Sequence, residues 1–125
     1  MPVDRTSQLI AIIDDDEAMQ DSLRDLMEAA GLAARSFGSA EEFLESDLHT
    51  RAACLIVDIR MPKMSGLQLQ ARLKEEGCNT PIIFITAHGD ARMRIRAMRE
   101  GAVEFLSKPF DHQLLLKKVR SALNV

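Results

Sequence analysis

A chain of 125 residues has the size of a single folded domain, and with 46% hydrophobic residues it can bury about two-thirds of the surface its unfolded form exposes. A formal net charge of −3 excludes a global positive field for nucleic acid or an anionic membrane, and two cysteines are too few for a disulfide framework. No apolar run approaches the roughly 18 residues of a membrane span, and Met1 to Gln8 holds no apolar signal core, so one cytoplasmic domain over 1–125 is expected, with no membrane and no direct nucleic-acid contact.

The first strand is predicted at Leu9 to Ile13, an apolar run that ends in Asp14-Asp15-Asp16. Met19, Leu23, Leu26, Met27 and Ala30 then recur on one face of a helix, which Gly31 stops by its tolerance of left-handed backbone. A weaker strand follows at Leu32 to Phe37, and Ser39 with Glu42 has capping-box spacing ahead of Phe43 and Leu44. The next strand, Ala53 to Val57, contains Cys54 and terminates at Asp58. Leu69 and Leu73 stripe a third helix closed by Gly77, with Cys78 in the turn. The strand Ile82 to Ile85 leads to Thr86, and a fourth helix from Asp90 to Glu100 stops at Gly101. There Arg92, Arg94, Arg96 and Arg99 read as a solvated basic face shielding Ile95 and Met98, and Met93 and Met98 read as core. A last strand, Val103 to Leu106, precedes Lys108, and Leu115, Val119 and Ala122 mark a fifth helix. His49, His88 and His112 have no metal-ligand spacing and read as surface residues.

Strands alternating with helices require a parallel sheet covered on both faces, and strands that are apolar throughout agree with that burial. Ligands of such sheets bind outside the carboxyl ends of the strands, where Asp14, Asp15, Asp58, Thr86 and Lys108 are all predicted to lie. Three converging carboxylates repel one another unless protons or a cation neutralise them, and magnesium is the hard, oxygen-seeking ion that suits the set. Asp16 reads instead as a first-turn acid favoured by the helix dipole. A carboxylate is an accepted nucleophile for an aspartyl phosphate, and a hydroxyl with an ammonium, here Thr86 and Lys108, suits the charge on phosphoryl oxygens.

The runs Ile12-Ile13-Asp14-Asp15-Asp16, Asp58-Ile59-Arg60-Met61-Pro62-Lys63-Met64-Ser65-Gly66 and Lys108-Pro109-Phe110, in this order, resemble the receiver domain of two-component response regulators over essentially the whole chain. The resemblance implies a flavodoxin-like, doubly wound five-stranded sheet in the order 2-1-3-4-5. It implies Asp58 as phosphoacceptor for a sensor histidine kinase. Asp15, Asp58 and the main-chain carbonyl of Arg60 would ligate Mg2+ or Mn2+, with Asp14 acting through a water. Thr86 and Lys108 match the groups that meet the phosphoryl oxygens, and Phe105 falls at the aromatic switch position. Arg60 and His88 flank the site as modulators of dephosphorylation, and the bond before Pro109 is expected to be cis. The family signals through its fourth helix, fifth strand and fifth helix, which implies homodimerisation on phosphorylation.

The segments Thr86-Ala87-His88-Gly89-Asp90 and Ala97 to Leu106 look most like the FixJ-like subgroup, transcription regulators with a helix-turn-helix output domain expected to lie outside this chain. The role implied is regulatory, with self-catalysed phosphotransfer and autodephosphorylation as its only chemistry. Two rivals remain at this level. A magnesium-dependent phosphohydrolase of the haloacid dehalogenase type would use Asp14 as nucleophile, but Ala18 stands where a Thr or Val is expected. A pseudo-receiver would be a pure interaction module without phosphate turnover.

Overall fold

The computed structural model describes residues 8–87 and 91–124. Five strands, β1 (Ile10–Ile13), β2 (Ala34–Phe37), β3 (Cys54–Asp58), β4 (Ile82–Thr86) and β5 (Glu104–Ser107), form one parallel sheet in the order β2-β1-β3-β4-β5. The sheet is therefore the doubly wound one expected, and the topology reverses between β1 and β3. Successive residues of the central strands point to opposite faces and both faces are apolar. Ile10, Ile12, Cys54, Ile56, Ile83 and Ile85 pack with Leu23, Met27, Leu115 and Val119, while Ala11, Ile13, Leu55, Val57 and Phe84 pack with Phe43, Leu69, Leu73 and Ala97. Helices α1 (Glu17–Ala29) and α5 (His112–Leu123) thus cover one face, and α2 (Ala40–Leu44), α3 (Gly66–Glu75) and α4 (Ala91–Arg99) cover the other.

Local chemistry sets where these helices begin and stop. Asp16 caps α1 by accepting from the Ala18 N–H, and Gly31, with φ 77°, takes the left-handed turn that ends it. Ser39 accepts from the Glu42 N–H as predicted, but the return bond of the Glu42 carboxylate goes to the Gly38 N–H, one residue before the cap. A complete capping box, unremarked in the sequence, joins Ser65 and Gln68 at the start of α3. A short 3-10 helix at Asp47–His49 also went unpredicted; the His49 ring meets the Glu76 carboxylate there, tying this turn to the end of α3.

Asp111 caps α5 through the Gln113 N–H at 2.8 Å. Replacing it by Ala is expected to cost about 1 kcal/mol in urea unfolding, with the effect confined to stability because Asp111 lies outside the acidic cluster.

The fourth helix corrects one expectation. Its buried residue is Ala97, with Met93 partly buried one turn earlier, and Ile95 is 57% and Met98 38% exposed. Ile95 lies two residues from Ala97, about 200° around the helix, so the arginines cannot shield it and Met98 is not core. Cys54 is a core thiol whose pKa burial pushes up to about 12, which leaves it inert.

Candidate functional site

Every strand of the sheet runs in the same direction, so residues just past their ends collect at one edge. Asp14 follows β1, Asp58 ends β3, Thr86 ends β4 and Lys108 follows β5. Asp14, Asp15 and Asp58 offer carboxylate oxygens that all lie within 4.8 Å of one another. Lys108 Nζ is 3.4 Å from Asp14 Oδ2 and 3.8 Å from Asp58 Oδ2. Thr86 is fully buried at the end of the neighbouring strand, and its carbonyl accepts from the Lys108 N–H at 2.7 Å, which fixes where the lysine leaves the sheet. The Lys108–Pro109 bond is cis.

The electrostatics are those of an overloaded carboxylate cluster. Asp14 is 0% exposed, and burial raises its pKa; the Asp16 N–H, which donates to Asp14 Oδ1 at 2.9 Å, and Lys108 oppose that rise. Burial first, and then the neighbouring Asp14 charge, push Asp58 up to about 6, against Lys108 and the Arg60 N–H that donates to Asp58 Oδ1 at 3.2 Å. A single ammonium does not balance three acids, and a divalent cation would. The donors are hard carboxylate oxygens, one of them on the exposed Asp15, so the cluster suits an oxygen-seeking ion that keeps part of its water.

Among the other residues singled out in the sequence, Arg60 is exposed on the loop after β3, and Phe105 is buried in β5 with its backbone opposite Phe84. His88 lies outside the described residues. Asp16 is the N-cap of α1, one residue before the first turn in which it was expected, and its carboxylate accepts from the Ala18 N–H. The arrangement also uses residues that the sequence did not flag. Gln20 Nε2 donates to the Asp14 carbonyl at 2.7 Å, holding the turn that presents Asp14 and Asp15, and Glu41 Oε2 accepts from the Met64 N–H at 3.2 Å. Neither has a sequence signal, because each contact joins residues whose proximity exists only in the folded chain.

The geometry agrees with what the chain is similar to. The profile of the response regulator receiver domain family matches residues 10–120. The response regulator protein TodT of Pseudomonas putida is 46% identical over 122 residues, covering 98% of this chain and 53% of TodT. The transcriptional regulatory protein FixJ of Bradyrhizobium diazoefficiens is 40% identical over 114 residues, covering 91% of this chain and 56% of FixJ. The crystal structure of FixJ-N superimposes with a TM-score of 0.85 at 37% identity, covering 94% of each chain. The chain spans about half the length of these curated relatives.

Proposed function

We propose that this chain, which belongs to the response regulator receiver family and is FixJ-like within it, performs its signalling by accepting a phosphoryl group on Asp58. Phosphorylation-dependent signalling is the family's function; the acceptor, its helpers and its partners are the proposal. The observation that carries it is the meeting of the Asp58 carboxylate, two further carboxylates and the Lys108 ammonium at the carboxyl edge of the sheet.

An Asp58 oxygen attacks the phosphorus of a sensor kinase's phosphohistidine; the P–N bond breaks, and the imidazole leaves with its electron pair. Magnesium or manganese would be held by Asp15, Asp58 and the Arg60 carbonyl, with Asp14 through a water, and supplies positive charge against the phosphoryl oxygens. Lys108 and Thr86 pair with those oxygens once they arrive, so the acyl phosphate favours the conformer that brings both groups in. Phe105 follows by packing alone, since it has no hydroxyl. Arg60, exposed on the loop after β3, and His88 are the positions that, by resemblance to the family, modulate how fast the phosphate hydrolyses.

The readout surface is α4, β5 and α5, where Ile95 and Leu114, 57% and 37% exposed, offer apolar area to a second copy of the chain. The long relatives FixJ and TodT are named as regulators, and transcription control through a helix-turn-helix segment is the output we assign to the whole protein. Among the described residues no helix is long and apolar enough to cross a membrane.

The test is to incubate the protein with a small phosphodonor and Mg2+, trap the acyl phosphate and locate it by mass spectrometry. Label on Asp58, lost in Asp58→Asn by a factor of at least about a thousand in initial rate, is expected for a residue that forms the bond itself. Label on Asp14 would make the chain a hydrolase of the haloacid dehalogenase type, and no label would make it a pseudo-receiver. Asp14 is the more poorly placed of the two for attack, its side chain being 0% exposed against 10% for that of Asp58.

A further inference from the structure

The loop between β3 and α3 carries Arg60 and must hold its carbonyl still. Two of its ties are local: the Arg60 N–H donates to Asp58 Oδ1 at 3.2 Å, and the Gly66 N–H closes the loop onto the Ile59 carbonyl at 2.8 Å. Between them Lys63 adopts left-handed backbone, φ 65°, at a residue that is not glycine, a conformation that survives only where surrounding contacts impose it. The next residue supplies such a contact. The Met64 N–H donates at 3.2 Å to Glu41 Oε2, from an element 23 residues earlier in the chain.

Glu41 lies in the first turn of α2, where an acid is ordinarily a solvated complement to the helix dipole. A solvated acid would leave both oxygens in water. Here Oε2 is spent on the Met64 amide, and Oε1 is enclosed with no donor among the described residues. An enclosed, half-satisfied carboxylate is costlier than an exposed one, so dipole compensation does not account for its placement.

We propose that Glu41 is a positioning residue for the metal-binding loop: reaching across from α2, its carboxylate fixes the Met64 amide and so holds the loop that presents the Arg60 carbonyl. This rests on the reading of the Asp58 cluster as a metal site. A glutamate has the reach for this contact; an aspartate, one methylene shorter, keeps the charge and loses the contact. A glutamine keeps an acceptor oxygen for the Met64 N–H and loses the charge. The three variants therefore separate hydrogen bonding from electrostatic attraction of the cation.

The experiment titrates Mg2+ by calorimetry into the 125-residue chain and its Glu41→Ala, Glu41→Asp and Glu41→Gln variants, and follows amide hydrogen exchange at Met64 without metal. Alanine and aspartate are expected to weaken Mg2+ binding about tenfold and to speed Met64 exchange, whereas glutamine stays within about twofold of the parent, the scale of an outer-shell contact. Circular dichroism checks that each variant is folded, and should alanine fail to fold, aspartate and glutamine still make the comparison. Weakening by glutamine as great as by aspartate would overturn the proposal in favour of charge, and unchanged binding in all three would overturn it outright. Failure of the underlying metal-site reading looks different: the parent itself would not bind Mg2+, or Asp58→Asn would bind as well as the parent.

Discussion

Gly66→Ala is expected to lower the unfolding free energy by about 2–3 kcal/mol, the cost of forcing a group into closed backbone. A Cβ at Gly66 would lie 2.7 Å from the Asp58 carbonyl oxygen and 2.9 Å from Ile59 Cα, with the Phe84 ring at 3.1 Å. Both nearest atoms are main chain, so no side-chain rotation relieves the clash. Either the first turn of α3 slides off β3, breaking the Gly66 N–H bond to the Ile59 carbonyl, or Asp58 itself moves. The second route couples the change to function, and the variant should also lose Mg2+ affinity. Gly77 and Gly101 provide the control, because a Cβ at either meets nothing within 4 Å and the cost there comes from φ values of 74° and 104° alone. Alanine at those positions should cost about 1 kcal/mol with Mg2+ binding intact. Urea unfolding of the three variants decides: a Gly66→Ala protein no less stable than Gly77→Ala would mean that the contact between β3 and α3 is soft.

What the sequence made legible was the part of the fold that repeats locally. The uniform apolarity of Ile10 to Ile13 and Cys54 to Val57 reports burial on both faces, and the i, i+4 stripe of Leu23 and Met27 reports the buried face of α1, because each pattern reflects the solvent contact of one element by itself. The strand order did not follow from any of this, since a strand buried on both sides looks the same at every inner position of a sheet; it came through the resemblance of the motifs. The carboxylate cluster was legible for a different reason, namely that parallel strands deliver their ends to one edge whatever their order. Ile95 was misplaced because the apolar residues of α4, like its four arginines, are spread around its circumference, which left the phase of its buried face to Ala97, a residue too small to announce it. Gln20, Glu41 and the Gln70 amide that donates to the Ala97 carbonyl at 3.1 Å were illegible because polar side chains that satisfy distant backbone groups leave no period in the sequence.

In the absence of metal the protein is expected to be less stable at pH 7.5 than at pH 5, and saturating Mg2+ is expected to abolish that difference. The folded-state pKa of Asp58, about 6, is raised above the unfolded value of 3.8, so between these values the folded chain holds more protons than the unfolded one. The stability this group contributes is fully present below the lower value and is lost as pH rises through the upper one, a difference of about 1 kcal/mol between pH 5 and 7.5. Asp14, raised by its burial, acts with the same sign. Mg2+ competes with those protons for the same oxygens. At a hundredfold excess over its Kd it should add about 2.7 kcal/mol, and that gain should shrink as pH falls through 6 because protons then hold Asp58. Asp58→Asn removes both the titrating group and a proposed ligand, so its metal-free pH profile should be flatter than the parent's and its response to Mg2+ small. Subtracting the Asp58→Asn profile from the parent's isolates Asp58 from every other titrating group. Thermal unfolding at both pH values, with and without Mg2+, gives four numbers for each protein. Equal stabilisation by Mg2+ at pH 5 and pH 7.5 would show that the ion binds away from Asp58. A metal-free parent whose stability falls no more steeply with pH than that of the Asp58→Asn variant would show that Asp58 is already compensated within the protein, by Lys108, without a metal ion.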